Sequence, residues 1–241
     1  MSSQEYAARV ALLERLTCGP SIEERLLDAL ALPKDADVLD VGAGNGALLS
    51  ALRSLGHTGR LVGSDVHPAQ VPGVEWIVGS AEALPFPDAS FDAACFLRSL
   101  PHLASSEQAL REAWRAVRKG GQVIAAGGSS HHLARFWRIV GEATAFLPAW
   151  RRALAPNGPS PEERLSAPFR ALGLETRLQL VTAPLAFTPP DALGLLGTYH
   201  PIFNLEGAQW SAGESAARAA FMSLGHFGDV AELALLTATK E

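Results

Sequence analysis

The stretch VLDVGAGNGALLSAL, residues 38–52, decides the fold, because an apolar strand runs through three glycines into a helix. A loop that joins a strand to a helix N-terminus leaves backbone N–H groups unpaired and presents the positive end of the helix dipole. Glycines in such a loop let a ligand approach the backbone closely. The stretch therefore predicts a ligand-binding loop. The glycines alone do not choose the ligand, because GAGNGA fits both G-x-G-x-G and the dinucleotide fingerprint G-x-G-x-x-[GA].

Two acids narrow that choice. Asp40 stands two residues before the loop, where a carboxylate would face a pyrophosphate with the wrong charge and suits a cation, such as a methionine amino group or a sulfonium. Asp65 ends the second predicted strand, at the spacing where a carboxylate accepts both hydroxyls of an adenosine ribose. Dinucleotides and S-adenosylmethionine both carry that ribose. The structural alternatives are a packing role for the glycines and a helix N-cap role for Asp65.

Composition and charge limit the classes of protein to which the chain can belong. The chain has 241 residues, of which 48% are hydrophobic and 19% charged, as in globular domains. Its net charge of −5 argues against an extended nucleic-acid surface. Cys18 and Cys95 are its two cysteines, so neither a disulfide framework nor a cysteine metal site is predicted. The first residues lack the apolar run of a signal peptide and no later run reaches membrane-spanning length, so we expect a cytoplasmic protein without membrane insertion.

Alternating patterns along the chain predict an α/β fold, with a parallel sheet covered by helices on both faces. Five apolar strands are predicted up to residue 128, with a helix over 103–118 before the fifth. The other predicted elements are helices over 4–16, 21–31, 131–150 and 161–172, a strand in ETRLQLVTAPLAF, a helical excursion over 189–224 and a closing strand in ELALLTATK.

Four stretches, in order, carry a family resemblance: VLDVGAGNG, GSDVHP, VGSAEALPFPDASFDAACF and EAWRAVRKGGQVIAAG. Together they resemble the class I S-adenosylmethionine-dependent methyltransferases, closest to the small-molecule group that includes the ubiquinone-biosynthesis-type C-methyltransferases. The third stretch is the most specific, because LPFPDASFD is long and lies between the third and fourth predicted strands, as the family pattern does. The resemblance implies a Rossmann-like, doubly wound, mostly parallel seven-stranded sheet with an antiparallel last strand and a helical cap.

The resemblance also implies S-adenosylmethionine as the cofactor. Asp40 and the backbone of residues 42–46 would hold the methionine end, and Asp65 the ribose. The full implied set is Asp40, Gly42, Ala43, Gly44, Asn45, Gly46, Asp65, Val66 against the adenine face, Ser80 and Ala81 at the adenine edge, and Leu97. The family commonly has Asp where this chain has Ser80. Since a hydroxyl accepts less strongly than a carboxylate, we expect either a weaker affinity for the cofactor or substitution by Glu82 or a water.

The resemblance further implies one methyltransferase domain with an embellishment. Its expected parts are an N-terminal helical cap (1–33), a cofactor-binding core (34–128), cap insertions with the sixth strand (129–228) and a closing strand (229–241).

Methyl transfer from a sulfonium is an in-line displacement, so the protein must align and desolvate the reactants and, for some acceptors, remove a proton. We expect the acceptor beyond the carboxyl ends of the strands, and the candidate bases are His102, His131 and His200. The segments expected there are rich in aromatic side chains, which either line a lid over a partly apolar or aromatic small molecule or form the core of the cap. These side chains are Tyr6, Phe136, Trp137, Phe146, Trp150, Tyr199, Phe203 and Trp210.

These features predict an S-adenosylmethionine-dependent methyltransferase that acts on a small organic acceptor, with neither nucleic acid nor a metal involved. A catalytically silent methyltransferase-like protein that binds the nucleoside is the first alternative. A nicotinamide oxidoreductase with the same glycine loop is the second, and Asp40 and LPFPDASFD count against it. The residues do not indicate whether O, N, C or S accepts the methyl group.

Overall fold

The computed structural model describes the backbone of residues 3–67, 69–156 and 158–241, and side chains from residue 8 onward. Tyr6, one of the aromatic residues considered for the acceptor site, therefore lies outside the described side chains. The chain divides into two compact units. Unit 1 comprises the residues up to Arg25, 131–158 and 182–232, and unit 2 comprises 26–130, 159–181 and 233–241.

The sheet confirms the predicted architecture. Its strands are β1 (Val38–Val41), β2 (Leu61–Asp65), β3 (Glu75–Val78), β4 (Phe91–Leu97), β5 (Val117–Gly128), β6 (Arg177–Phe187) and β7 (Phe227–Thr239). Their order is β3-β2-β1-β4-β5-β7-β6. The neighbours from β3 to β5 are parallel, whereas β7 is antiparallel to β5. All four residues of β1 are buried, as expected of a central parallel strand that is covered on both faces.

The helices follow the predicted pattern with shifted bounds. They are α1 (Ser3–Leu16), α2 (Ile22–Leu30), α3 (Ala47–Ser54), α4 (Ser106–Ala116), α5 (Ala134–Thr144), α6 (Pro148–Leu154), α7 (Pro161–Ala171), α8 (Pro189–Gly197), α9 (His200–Phe203) and α10 (Gly207–Leu224). The helix predicted from residue 103 begins at Ser106, because the Ser105 side chain caps it by accepting a hydrogen bond from the Gln108 N–H. A 3₁₀ turn, Leu100–His102, precedes the cap.

One helix lies in a different part of the fold from the part expected. Residues 161–172 fell within the expected cap, but α7 belongs to unit 2. Its Leu165 and Phe169 are buried in the main core with Phe96 of β4 and Ala125 of β5. The amphipathic pattern gave the helix correctly, but a pattern of apolar residues does not say which apolar surface a helix will cover.

Unit 1 has a core of its own, which contains a cluster of aromatic side chains, called the aromatic core below. Phe136 of α5 stacks on Phe221 of α10 with ring centroids 5.5 Å apart, and Trp150 of α6 lies 5.1 Å from Trp210. Phe136 and Trp150 are fully buried. Within the described ranges, none of the helices combines the length and apolarity needed to span a bilayer.

Candidate cofactor-binding site

The glycine loop connects β1 to α3 through left-handed backbone. Gly42, Gly44 and Gly46 have φ values of 72°, 56° and 76°. Side chains with a Cβ adopt this region at a cost, so the turn favours glycine at all three positions. The Ser64 carbonyl at the end of β2 accepts hydrogen bonds from the N–H groups of Gly42 (2.8 Å) and Ala43 (3.1 Å), which fixes the first half of the loop to the neighbouring strand.

The three glycines differ in what surrounds them. A Cβ on Gly42 would lie 2.5 Å from Cβ of Ser99, and one on Gly46 would lie 2.8 Å from the Trp76 ring. A Cβ on Gly44 would have no described atom within 4 Å. The packing interpretation of the glycines therefore holds for two positions, whereas Gly44 faces open space where a ligand fits.

Asp40 lies in β1 between Gly63 of β2 and Cys95 of β4. It is 3% exposed, and its Oδ1 has no hydrogen-bond partner among the described atoms. Burial, and secondarily the charge of Asp65, raises the pKa of Asp40 to about 7. Buried carboxyl groups normally have partners, so an unpaired one points to a partner that is a ligand.

Asp65 reaches the same loop from the end of β2. Its Oδ2 accepts a hydrogen bond from the Gly44 N–H at 2.8 Å, and its Oδ1 accepts one from the His67 N–H at 3.0 Å. A carboxylate has about four acceptor sites, so it can still receive two ribose hydroxyls. Val66 beside it is 64% exposed, an apolar surface next to the loop. No helix begins in the described residues directly after Asp65, 66–67 and 69–74, so the N-cap alternative has no support there.

Glu82 provides a carboxylate next to Ser80, the position where the family has Asp. The Ser80 hydroxyl donates to the Glu82 carboxylate, whose Oε1 also accepts the Ser105 N–H at 3.0 Å. These hydrogen bonds lower the pKa of Glu82. The Ala81 side chain is buried in the core of unit 2, so it has only backbone to offer a ligand. Leu97 ends β4 and is partly buried.

The candidate bases are distributed over both units. His102 is exposed in the 3₁₀ turn of unit 2. In unit 1, Nδ1 of His131 lies 3.6 Å from Oε1 of Glu232, and the His200 ring lies 4.3 Å from the Trp210 ring. His131 is largely exposed. Among the described residues there is no group of three or more His, Cys, Asp or Glu side chains that could hold a metal ion.

The aromatic residues of unit 1 divide between core and surface. Trp210 is 6% exposed and its Nε1 donates to Glu214, whereas Phe146 is 72% exposed. Tyr199 stacks on the Arg9 guanidinium at 3.7 Å. Most of the aromatic set therefore serves as the core of unit 1, which was the second of the two interpretations.

Sequence reasoning missed two residues around the glycine loop. Ser99 fills the space under Gly42 and donates its hydroxyl to the Val41 carbonyl at 2.6 Å. Trp76 lies under both Gly46 and Gly63. Within unit 1, sequence reasoning also missed Glu232, which is buried beside His131. Ser99 and Val41 are 58 positions apart, and no local pattern in the sequence indicates such a contact.

Comparison with known proteins tests the predicted resemblance. Residues 39–125 match the family model described as a methyltransferase domain. The predicted resemblance to the class I S-adenosylmethionine-dependent methyltransferases is confirmed.

The methyltransferase domain resembles the ubiquinone/menaquinone biosynthesis C-methyltransferase UbiE of Hahella chejuensis, with 31% identity over 112 residues. That match covers 41% of this chain and 45% of the relative, so the chain spans less than half of the relative's length.

Solved structures extend the likeness of fold beyond the matched segment. A methyltransferase structure from Bacillus halodurans covers 90% of this chain and 98% of its own, with 18% identity and a TM-score of 0.56. A methyltransferase from Thermotoga maritima, described as a possible histamine N-methyltransferase, covers 99% and 96% respectively, with 20% identity and a TM-score of 0.54. At these identities the likeness concerns the fold, and function has to be argued from the site.

Proposed function

We propose that this protein binds S-adenosylmethionine and transfers its methyl group to a small organic acceptor. The observation that carries the proposal is the Asp40 carboxyl group, buried and unpaired at Oδ1, beside a glycine loop that is open at Gly44. A methionine amino group would supply the missing positive partner. A diphosphate offers no cation to pair with the Asp40 carboxyl group, which opposes the nicotinamide alternative.

The described residues fit the proposed cofactor. Asp40 and the loop from Gly42 through Ala43, Gly44 and Asn45 to Gly46 would hold the methionine end. Asp65 would accept the ribose hydroxyls, with Val66 on the adenine face and Leu97 bordering the site. Ser80, through Glu82, and the backbone of Ala81 would meet the adenine edge. When bound, the cofactor supplies an activated methyl group, and the protein's own contribution is orientation and exclusion of water.

For the acceptor, we propose a small, partly apolar molecule. The names of the curated relatives indicate a C-methyltransferase, and carbon is the acceptor atom that this likeness favours. Deprotonation of an acidic carbon or hydroxyl requires a base, for which His102, His131 and His200 remain the candidates. Cys18 and Cys95 are both free thiols, in keeping with a reducing cytoplasm.

Calorimetry with S-adenosylmethionine, S-adenosylhomocysteine and NAD tests the cofactor. We expect binding of the first two and none of the third. Asp65→Ala should weaken the binding of S-adenosylhomocysteine by about 1–3 kcal/mol, because it removes charge-assisted acceptors for the ribose and the brace of the Gly44 N–H. The control is Asp88→Ala, which removes a largely exposed acid paired with Arg115. Equal affinity in the Asp65 variant would remove that residue from the site.

Turnover is tested separately, with labelled S-adenosylmethionine and a panel of phenols, activated carbons and amines. Transfer of label to a carbon or hydroxyl acceptor supports the proposal. Binding without transfer to any member of a broad panel favours the catalytically silent alternative. Tight binding of NAD with no response to either sulfur ligand would reject the cofactor assignment.

A further inference from the structure

The Asp40 carboxyl group lies in a row of side chains with no positively charged member. Lateral pairing places Trp76, Gly63, Asp40, Cys95 and Ile124 side by side across β3, β2, β1, β4 and β5. Asp40 is 3% exposed and Cys95 is fully buried, so water contributes little to stabilising a charge there. The Oδ1 atom of Asp40 accepts no hydrogen bond from any described group.

The acidic groups around Asp40 oppose its ionisation. Asp65 at the end of β2 is the charged group that acts on it, and the charge of Asp65 adds to the effect of burial. The Cys95 thiol, on β4, is itself harder to ionise because of burial and of Asp40. His67 lies beyond Asp65, with its Nδ1 3.8 Å from Oδ1 of Asp65 and its side chain 89% exposed. In the free protein, the neutral form of Asp40 therefore has a lower free energy at this position than an unpaired carboxylate would have.

A ligand with an ammonium group changes this balance. The ammonium supplies the opposite charge and up to three hydrogen-bond donors, so the carboxylate form becomes favourable once the ligand is bound. We propose that, in slightly acidic solution, Asp40 of the free protein is mostly a neutral acid and loses its proton to solvent when the ammonium group of the ligand binds beside it. This inference rests on the proposed function, since S-adenosylmethionine carries such a group.

The coupling makes affinity depend on pH in a defined direction. Burial raises the pKa of free Asp40 to about 7, and the bound cation lowers it. Below that pKa the protein must give up a proton in order to bind, so the dissociation constant rises as pH falls. If the bound form is fully ionised, affinity for S-adenosylhomocysteine should be roughly eightfold lower at pH 6 than at pH 7.5.

The test is calorimetry with S-adenosylhomocysteine in buffers of different ionisation enthalpy at about pH 6.5, where the ligand amine stays protonated. The expected result is release of most of one proton for each ligand bound. 5′-Methylthioadenosine is the matched probe, since it keeps the adenosine and sulfur but lacks the amino acid portion. It should bind without releasing a proton, and this comparison needs only the unmodified protein.

Two variants assign the proton to a residue. Asp40→Asn keeps the size of the side chain but cannot ionise, so proton release and the pH dependence should both disappear. His67→Gln removes the exposed imidazole near Asp65 and should leave proton release unchanged. A His67 variant that abolishes the release, or an Asp40 variant that retains it, would reject the assignment to Asp40.

The outcomes separate this inference from the proposed function. Binding of S-adenosylhomocysteine with no proton release and no pH dependence overturns the coupling and leaves the cofactor assignment intact. Equal proton release with 5′-methylthioadenosine overturns it as well, because the ammonium group would then not be the cause. A complete failure to bind S-adenosylhomocysteine at any pH overturns both.

Discussion

The glycine-loop edge of unit 2 and the aromatic core of unit 1 differ in how completely their groups are satisfied. At the loop, the Oδ1 atom of Asp40 has no partner among the described atoms, Gly44 faces open space and Val66 is exposed. In the aromatic core, Trp150 is fully buried and its Nε1 donates to the Gln209 carbonyl at 2.8 Å. In a packed core, buried polar groups find hydrogen-bond partners within the protein. A binding site keeps polar groups whose partners are supplied by a ligand.

This contrast explains why residue type alone misleads. Tryptophans and phenylalanines in a predicted cap suggest a lid, yet most of them contact one another in unit 1. The loop contributes few large side chains, and its capacity to bind lies in backbone, two acids and empty space. Substitutions should therefore affect stability in the aromatic core and affinity at the loop.

The largest effect is expected from Gly213→Ala in α10. A Cβ there would lie 1.9 Å from Cε2 of Trp150, which is fully buried and cannot move without losing its hydrogen bond. We expect a loss of about 3 kcal/mol in the free energy of unfolding, at the upper end for overpacking. Denaturant titration measures it.

Gly141→Ala in α5 is the matched control, since a Cβ at that helical position would contact no described atom within 4 Å. It should be neutral or stabilising by about 0.5–1 kcal/mol, because alanine favours a helix over glycine. If Gly213→Ala has the same free energy of unfolding as Gly141→Ala, then Trp150 repacks at little cost and the aromatic core is looser than its contacts indicate.

The second effect concerns Gly44→Ala. The added methyl group meets no described atom, but it would occupy the open space above the loop, so affinity for S-adenosylhomocysteine should fall at least about tenfold. The left-handed backbone should also cost about 1 kcal/mol of stability. Calorimetry and denaturant titration measure the two quantities separately.

Gly120→Ala is the control that distinguishes the effect of backbone strain from the effect of filling the open space at the loop. Gly120 also has a positive φ, 79°, and a Cβ there would likewise meet nothing within 4 Å, but it lies at a turn within β5. Gly120 lies in the part of β5 between Val117 and Gln122 where the pairing with β4 shifts register, so we expect the same loss of stability with unchanged affinity. If Gly44→Ala binds the ligand as tightly as Gly120→Ala does, the open space at Gly44 is not part of the site.

The sequence predicted the sheet and the glycine loop, because both depend on patterns of neighbouring residues. Buried parallel strands read as apolar runs, and the glycine spacing at residues 42–46 needs only local information. The sequence did not predict contacts between distant parts of the chain. Three features depend on which surfaces of the folded chain meet, and local periodicity does not indicate this. They are the packing of Ser99 against Gly42, the position of the Trp76 ring beneath the loop and the inclusion of α7 in unit 2.

The smallest expected effect is that of Glu162, a carboxyl group whose environment is opposite to that of Asp40. Burial raises the pKa of Glu162, but hydrogen bonds from the Ser130 hydroxyl and N–H, both 2.6 Å, outweigh it and set the pKa at about 2. Because this pKa is below the ordinary value of 4.5, Glu162 stabilises the fold above pH 4.5, and that contribution is lost as pH falls toward 2. Asp40 acts oppositely: its raised pKa reduces stability as pH rises from 3.8 to about 7.

Stability measured against pH in Glu162→Gln and Asp40→Asn tests this opposition. The Glu162 variant should lose less than about 1 kcal/mol at neutral pH, because its surroundings are partly solvated, and should match the unmodified protein near pH 2. The Asp40 variant should gain relative stability as pH rises toward 7, since it carries no charge to bury. Glu163→Gln, at the neighbouring position of α7, removes a carboxylate that pairs with Arg170 and is the control for the loss of an acid from this helix. Parallel profiles for the Glu162 and Asp40 variants would contradict the distinction between a satisfied acid and one that awaits a ligand.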